Sequence, residues 1–231
     1  MDAERRNLLH AGAARLGIEL GPDQLEQFAR FHALLYERNR IMNLTRVSEE
    51  DAVGRHYLES LSIAALVHGS KIPRILDLGA GGGFPGVPLC IAYPCSRITL
   101  IDATAKKVRF LQEALQVVGI RNAEAVHARA ESLARDSAYR ARFDLVVARA
   151  VAPLDRLIPW VIPFLRDSGR FIAYLAALGA EEAERSPERW LKLGARLTEV
   201  RMCSPSDGGV RRGLAVFSRA GKRDNGIRIR A

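Results

Sequence analysis

Between Arg74 and Gly86 the chain reads Arg-Ile-Leu-Asp-Leu-Gly-Ala-Gly-Gly-Gly-Phe-Pro-Gly, an apolar run with one acid followed by five glycines in eight residues. Glycine takes positive φ and lets the main chain approach a ligand closely, and a helix opening just behind the turn, here at Pro85, presents free backbone N–H groups. A tight turn needs one such glycine, so this cluster points to a nucleotide-like cofactor lying against the backbone. Gly81, Gly83 and Gly86 also satisfy the glycine spacing of a dinucleotide fingerprint. Asp77 separates the two readings. A carboxylate two positions before the first glycine suits a loop braced around a cationic amino-acid cofactor, whereas a pyrophosphate gains nothing from it. S-adenosylmethionine, which carries a sulfonium and no phosphate, is the better fit to Asp77, Gly79 and Gly81.

Three further segments belong to the same chemistry. Asp102 ends the next β-rich run about 20 residues past the glycines, where an acid can accept both hydroxyls of a ribose or, alternatively, cap the helix that starts near Thr104. Ala130 and Glu131 follow the third run, at the level of an adenine, and also read as the first turn of a surface helix. Arg149 follows the fourth run, beyond the carboxyl end of a strand, which places it near donor or acceptor or in an ion pair with a carboxylate. Lys106, Lys107 and Arg109 open a helix against its dipole, an arrangement with a compensating use such as phosphate binding, or else a solvated basic face.

The elements that must position these residues follow from periodicity. Up to about Val67 the chain is helical: Leu25, Phe28, Phe31, Leu34 and Leu35 form one apolar stripe, Pro22 opens that helix after Gly21, and Ser48 with Asp51 forms a capping box. From Lys71, β-rich runs alternate with helical stretches at 74–78, 97–101, 123–128, 143–148 and 170–175, with two late runs at 197–202 and 214–218. Alternation implies βαβ units and a parallel sheet, while the short link near 204–209 makes the last pair antiparallel. The expected fold is α/β and Rossmann-like, a seven-stranded, mostly parallel sheet with an antiparallel last strand and an N-terminal helical extension. It divides into the extension 1–70, a cofactor-binding core 71–220 and a basic tail 221–231 expected to be frayed.

Composition bounds the partners. The 231 residues carry 35 Lys and Arg against 26 Asp and Glu, a formal charge of +9 that attracts polyanions, nucleic acid first among them, and that also serves solubility. No run approaches the roughly 20 apolar residues of a membrane span, so a cytoplasmic protein without membrane association is expected. Cys90, Cys95 and Cys203 lack metal or redox spacing and are expected to be core thiols, with no metal bound.

Asn43-Leu44-Thr45, Arg55-His56-Tyr57-Leu58-Glu59-Ser60, Asp77 to Gly86 with its Phe-Pro-Gly, and Ala148-Arg149-Ala150, together with Asp102 and Lys106-Lys-Val-Arg109, resemble the RsmG (GidB) family. The resemblance implies a class I methyltransferase that modifies N7 of a guanine in 16S ribosomal RNA. It implies cofactor contacts at Gly79, Phe84, Asp102, Ala130, Glu131 and Arg149. It makes Asn43, Arg55, His56, Lys106 and Arg109 candidates for RNA contact, with 16S rRNA or a small-subunit precursor as partner and a monomer as the acting form. Two positions depart from the family pattern: Leu175-Ala176 stand where a lysine followed by glycine is usual, and Glu59 where aspartate is frequent. Guanine N7 has a lone pair and no proton, so its methylation needs positioning, with Arg149 the foremost candidate, and no general base. A small-molecule methyltransferase, a nicotinamide oxidoreductase and a non-catalytic RNA-binding sensor are the rival readings.

Overall fold

The computed structural model describes residues 1–67, 72–204 and 211–221. Their organising element is one sheet ordered β3-β2-β1-β4-β5-β7-β6. The strands are β1 Arg74–Leu78, β2 Arg97–Asp102, β3 Ala123–His127, β4 Phe143–Arg149, β5 Leu165–Ala176, β6 Ala195–Cys203 and β7 Arg212–Arg219. β1 to β5 pair in parallel, and β7 inserts between β5 and β6, antiparallel to both. All seven expected strands form, and the last is the reversed one. β5 starts earlier than the 170–175 run suggested because Leu165 still pairs with Phe143, across a register shift. The β6–β7 link from 205 to 210 and the basic tail beyond 221 lie outside the described residues.

The helices are placed by familiar end signals. α1 (Ala3–Arg15) is capped by the Asp2 carboxylate, which accepts the Arg5 N–H. α2 (Pro22–Met42) opens on Gly21 with proline in its first turn and buries Phe28, Phe31, Leu34 and Leu35. Ser48 Oγ accepts the Asp51 N–H at 3.2 Å, one half of the expected capping box. Behind it the chain is π-helical over Val53–Leu58 and continues into α3 (Glu59–Leu61) and α4 (Ala64–Val67). α5 (Gly86–Ala92) begins one residue later than the proline signal implied, with Pro85 as its N-cap. α6 (Ala105–Val118) stops at Gly119, whose φ of +78° suits glycine. α7 (Ala130–Leu133), α8 (Leu154–Val161), α9 (Ala177–Arg185) and α10 (Pro187–Lys192) complete the set.

Successive strand residues point to opposite faces, and the core divides accordingly. Ile75, Ile98, Leu100, Val147 and Ile172 pack with α2, α5, α6 and the N-terminal helices. Leu76, Ile101, Val146, Ala148 and Ala173 pack with α7 to α10 on the other side. The N-terminal helices therefore share one continuous core with the sheet, which presses the 43–45 loop and the π-helical stretch against the carboxyl ends of β1 and β4. No described helix is long and apolar enough to cross a membrane.

Candidate functional site

The glycine loop is built by its own hydrogen bonds and by a buried acid. The N–H groups of Gly79 and Ala80 both donate to the Ile101 carbonyl, at 2.8 and 2.9 Å, tying the loop to the end of β2. Gly79, Gly81 and Gly83 all have positive φ. At Gly82 a Cβ would lie 2.8 Å from the Leu44 carbonyl, so the Asn43–Thr45 loop sits directly on the glycines. Asp77 is completely buried, and its Oδ2 accepts the Gly86 N–H at 2.7 Å, bracing the turn as the sequence suggested. Its Oδ1 is buried with no partner in the protein. Burial raises Asp77 to about 7, opposed by the Gly86 N–H and by Arg149. An orphaned carboxylate oxygen behind a glycine cradle is a cation's complement, so these residues fit S-adenosylmethionine.

Asp102 spans two loops. Oδ2 accepts the Gly81 N–H at 3.0 Å and Oδ1 the Thr104 N–H at 2.8 Å. The residue is thus a brace between the glycine loop and the start of α6, whose N-cap is Thr104. Each oxygen keeps a second lone pair for a hydroxyl. Ala130 is buried, and Glu131 is exposed in the first turn of α7, the short helix that follows β3.

Around Arg149 the structure brings together residues that sequence spacing leaves far apart. Its Nη1 donates to the Arg55 carbonyl at 3.1 Å and stands 3.5 Å from Glu59 Oε1; its Nη2 donates to His56 Nδ1 at 3.0 Å. The guanidinium carbon lies 5.1 Å from the Phe84 ring centroid. Arginine is only a donor, so Nδ1 must accept, and the imidazole proton sits on Nε2, which donates to Thr45 Oγ1 at 2.7 Å. The His56 ring stacks on Phe84 with centroids 3.9 Å apart and planes 9° from parallel. Burial and the neighbouring arginines, Arg149 and then Arg55, lower His56 to about 3, so it is neutral at physiological pH.

His56 was a candidate for RNA contact through the resemblance, with a packed or capping histidine as the commoner role. The structure buries it with both ring nitrogens engaged inside the protein, one of them accepting from Arg149. Lys106 is exposed, and its Nζ donates to the Ile41 carbonyl near the C-terminal end of α2 at 3.3 Å, which offsets its position in α6 and leaves two of its three donors facing outward contacts. Asn43, Arg55 and Arg109 are exposed. Asn43 ends α2 in the left-handed region, and Arg55 reaches Asp51 at only 3.5 Å.

Beyond the carboxyl ends of β4 and β5 opens a cavity of about 400 Å³. Arg55, His56, Glu59, Arg149, Leu175 and Arg212 are among its walls. Glu59 is the residue whose role sequence reasoning missed. Its side chain is 7% exposed, with Oε2 accepting from Arg212 Nε at 3.2 Å and Oε1 facing Arg149. Arg212 comes from β7, paired across from Ala176, 153 positions from Glu59, so no local pattern reveals the contact. Tyr174 stiffens the floor by donating to the Ser60 carbonyl at 2.6 Å.

With that geometry in place, comparison with known proteins is specific. Residues 24–210 match the GidB family model, described as rRNA small subunit methyltransferase G. Ribosomal RNA small subunit methyltransferase G of Thermoanaerobacter sp. is 40% identical over 195 residues, covering 84% of this chain and 81% of that protein. Its counterpart in Lachnoclostridium phytofermentans is 38% identical over 209 residues, 90% and 86% of the two chains. Among solved structures, a putative O-methyltransferase from Klebsiella pneumoniae aligns with a TM-score of 0.57 at 15% identity, covering 83% of this chain and 90% of that one. A TehB-like SAM-dependent methyltransferase from Corynebacterium glutamicum gives 0.54 at 18% identity, covering 81% and 98%. At such identities these two bear on the fold alone.

Proposed function

The chain belongs to the GidB family of small-subunit rRNA methyltransferases, and from that premise we propose that it methylates N7 of one guanine in 16S rRNA, with S-adenosylmethionine as donor. The observation that carries the reading is the neutral, doubly engaged His56 holding Arg149 between the glycine loop and an open cavity. When bound, S-adenosylmethionine supplies a methyl group whose C–S bond breaks, leaving its electron pair on sulfur, as the lone pair of the acceptor takes the carbon.

The protein's own residues supply placement. Asp77, Gly79, Gly81, Phe84, Asp102, Ala130, Glu131 and Arg149 hold the donor, and the cavity over β4 and β5 holds the acceptor base. Holding two reactants in line contributes roughly 7–11 kcal/mol of barrier reduction. N7 loses no proton, so a site whose histidine has no free lone pair loses nothing by it. Asn43, Arg55, Lys106 and Arg109, all exposed, are assigned to RNA contact, helped by the +9 charge of the chain. The acting form is read as a monomer in which the extension 1–70 and the core 71–220 work as one body, on rRNA or a small-subunit precursor.

A strain lacking the gene tests this. Its small-subunit rRNA loses one 7-methylguanine, the wild-type copy restores it, and Gly79→Arg does not, because a Cβ at Gly79 already lies 2.5 Å from Val151 Cγ2. Restoration by Gly79→Arg removes the glycine loop from the cofactor site. An unchanged methylation pattern in the deletion strain removes the function.

A further inference from the structure

The acceptor cavity has a charge pattern that selects among bases. Its arginines, Arg55, Arg149 and Arg212, can only donate hydrogen bonds. Both nitrogens of His56 are committed, and the Tyr174 hydroxyl donates to Ser60. Glu59 is the acidic residue among the described residues lining the cavity. Arg212 and Arg149 flank its two oxygens, at 3.2 and 3.5 Å, which fixes the carboxylate while leaving lone pairs on each.

Resting on the methyltransferase reading above, we propose that Glu59 is the guanine-reading residue: its carboxylate accepts the N1–H and the 2-amino group of the acceptor base. Guanine alone among the four RNA bases presents two adjacent donors on that edge, a match to the two oxygens of a carboxylate. Adenine presents N1 as an acceptor there and meets like-signed lone pairs, so the same carboxylate rejects it. N7 lies on the far side of the purine, so a residue that reads N1 and the 2-amino group leaves N7 free to meet the methyl. The charge balance points the same way. As the N7 lone pair forms the new N–C bond, no proton leaves, and the positive charge passes to the purine ring. In a cavity walled by arginines that cation is disfavoured, and the Glu59 carboxylate offsets it. Glu59 is therefore expected to stabilise the methylated ring as well as the incoming base.

The test uses the RNA containing the mapped target guanine and the same RNA with inosine, which lacks the 2-amino group, at that one position. Wild type is expected to methylate the inosine RNA about 10- to 100-fold more slowly, the usual discrimination of a paired hydrogen-bond contact. Glu59→Gln is expected to lose most of its rate on guanine and to treat the two RNAs within about threefold of each other, any intrinsic difference in N7 reactivity being the same for both proteins. S-adenosylmethionine affinity, read by calorimetry on the same preparation, is expected to stay within about threefold of wild type. Glu59→Asp, which keeps the charge, is expected to recover part of the discrimination and serves if the glutamine variant does not fold. Equal rates of wild type on both RNAs, or a Glu59→Gln variant slowed equally on both with the wild-type ratio, overturns the assignment while leaving the methyltransferase reading intact. No methylation of the guanine RNA by wild type overturns the functional reading and this assignment with it.

Discussion

Arg149 donates to Nδ1 of His56, and that one hydrogen bond determines which nitrogen of the imidazole carries the proton. The consequence runs in two directions: Nε2–H anchors the ring to Thr45, and the ring, stacked on Phe84, holds Arg149 in the wall of the cavity beyond β4 and β5. His56→Gln can reproduce one acceptor and one donor but not the stack. His56→Ala leaves a buried guanidinium short of a partner above a void. The alanine variant is expected to lose about 2–4 kcal/mol of stability and the glutamine variant less than half of that, by denaturant melts. Equal losses would make the hydrogen bond to Arg149 irrelevant.

Asp77 and His56 respond to pH with opposite sign. Burial raises the Asp77 carboxyl from 3.8 to about 7, so the folded protein keeps a proton that the unfolded chain releases. Its contribution is therefore fully present below about pH 4 and is lost as pH rises toward 7. His56, lowered from 6.5 to about 3, contributes above about pH 6.5 and loses that as pH falls. Asp77→Asn removes the first dependence alone, so wild type is expected to weaken relative to the variant from about pH 4 to 7 in thermal melts. A parallel pair of stability profiles contradicts the raised value.

A cation bound near Asp77 favours its carboxylate, and binding then expels a proton. Wild-type affinity for S-adenosylmethionine is expected to rise from about pH 6 to about 8 more steeply than that of Asp77→Asn, by calorimetry. Identical slopes place Asp77 in the turn only, as the brace of Gly86.

Glycines in the loop separate folding from binding. A Cβ at Gly86 would strike Leu100 Cδ2 and Asp77 Oδ2, so Gly86→Ala is expected to cost about 2 kcal/mol or more. Gly81, with φ of +55°, would meet nothing nearer than the Gly79 carbonyl at 3.7 Å. Gly81→Ala is therefore expected to cost only about 1 kcal/mol in melts yet to weaken S-adenosylmethionine by at least about tenfold in calorimetry. Gly119, with a similar φ and open space around it, provides the control: Gly119→Ala carries the same backbone strain and leaves affinity unchanged. Equal affinity of the Gly81 and Gly119 variants would move the cofactor off the loop.

Leu175 gives the cavity beyond β4 and β5 an apolar wall, and Arg212, paired with the neighbouring Ala176 from β7, brings a cation to the same wall. Arg212→Leu is expected to reduce methyl transfer to rRNA by about tenfold or more with S-adenosylmethionine affinity unchanged. Unimpaired transfer shows that the wall needs no charge. Insensitivity of the residual rate to salt would favour a small-molecule acceptor.

What the sequence revealed and concealed divides by range. Short β-rich runs located every strand, the three-to-four spacing located the α2 stripe, and the glycine run marked the loop, because those signals are local. The early start of β5 depends on pairing with Phe143, which no local pattern carries. The positions of Asp102 and Arg149 at strand ends were legible, but their partners were not. Asp102 reaches back 21 residues to Gly81, and Arg149 reaches back 93 to His56. For His56 a packed role was the commoner reading, but its partners Arg149, Thr45 and Phe84 lie outside its own segment and no local pattern names them. Only the π-helical stretch and the loop over Gly82 turn it inward. Glu59 and Arg212 meet solely through the insertion of β7 between β5 and β6.

Transfer to one guanine N7 is measured by incubating purified protein with methyl-labelled S-adenosylmethionine and small-subunit rRNA, then mapping the label by nuclease digestion and mass spectrometry. The label is expected in a single 7-methylguanosine. Label on another atom or another base, or RNA that binds without acquiring any, contradicts it.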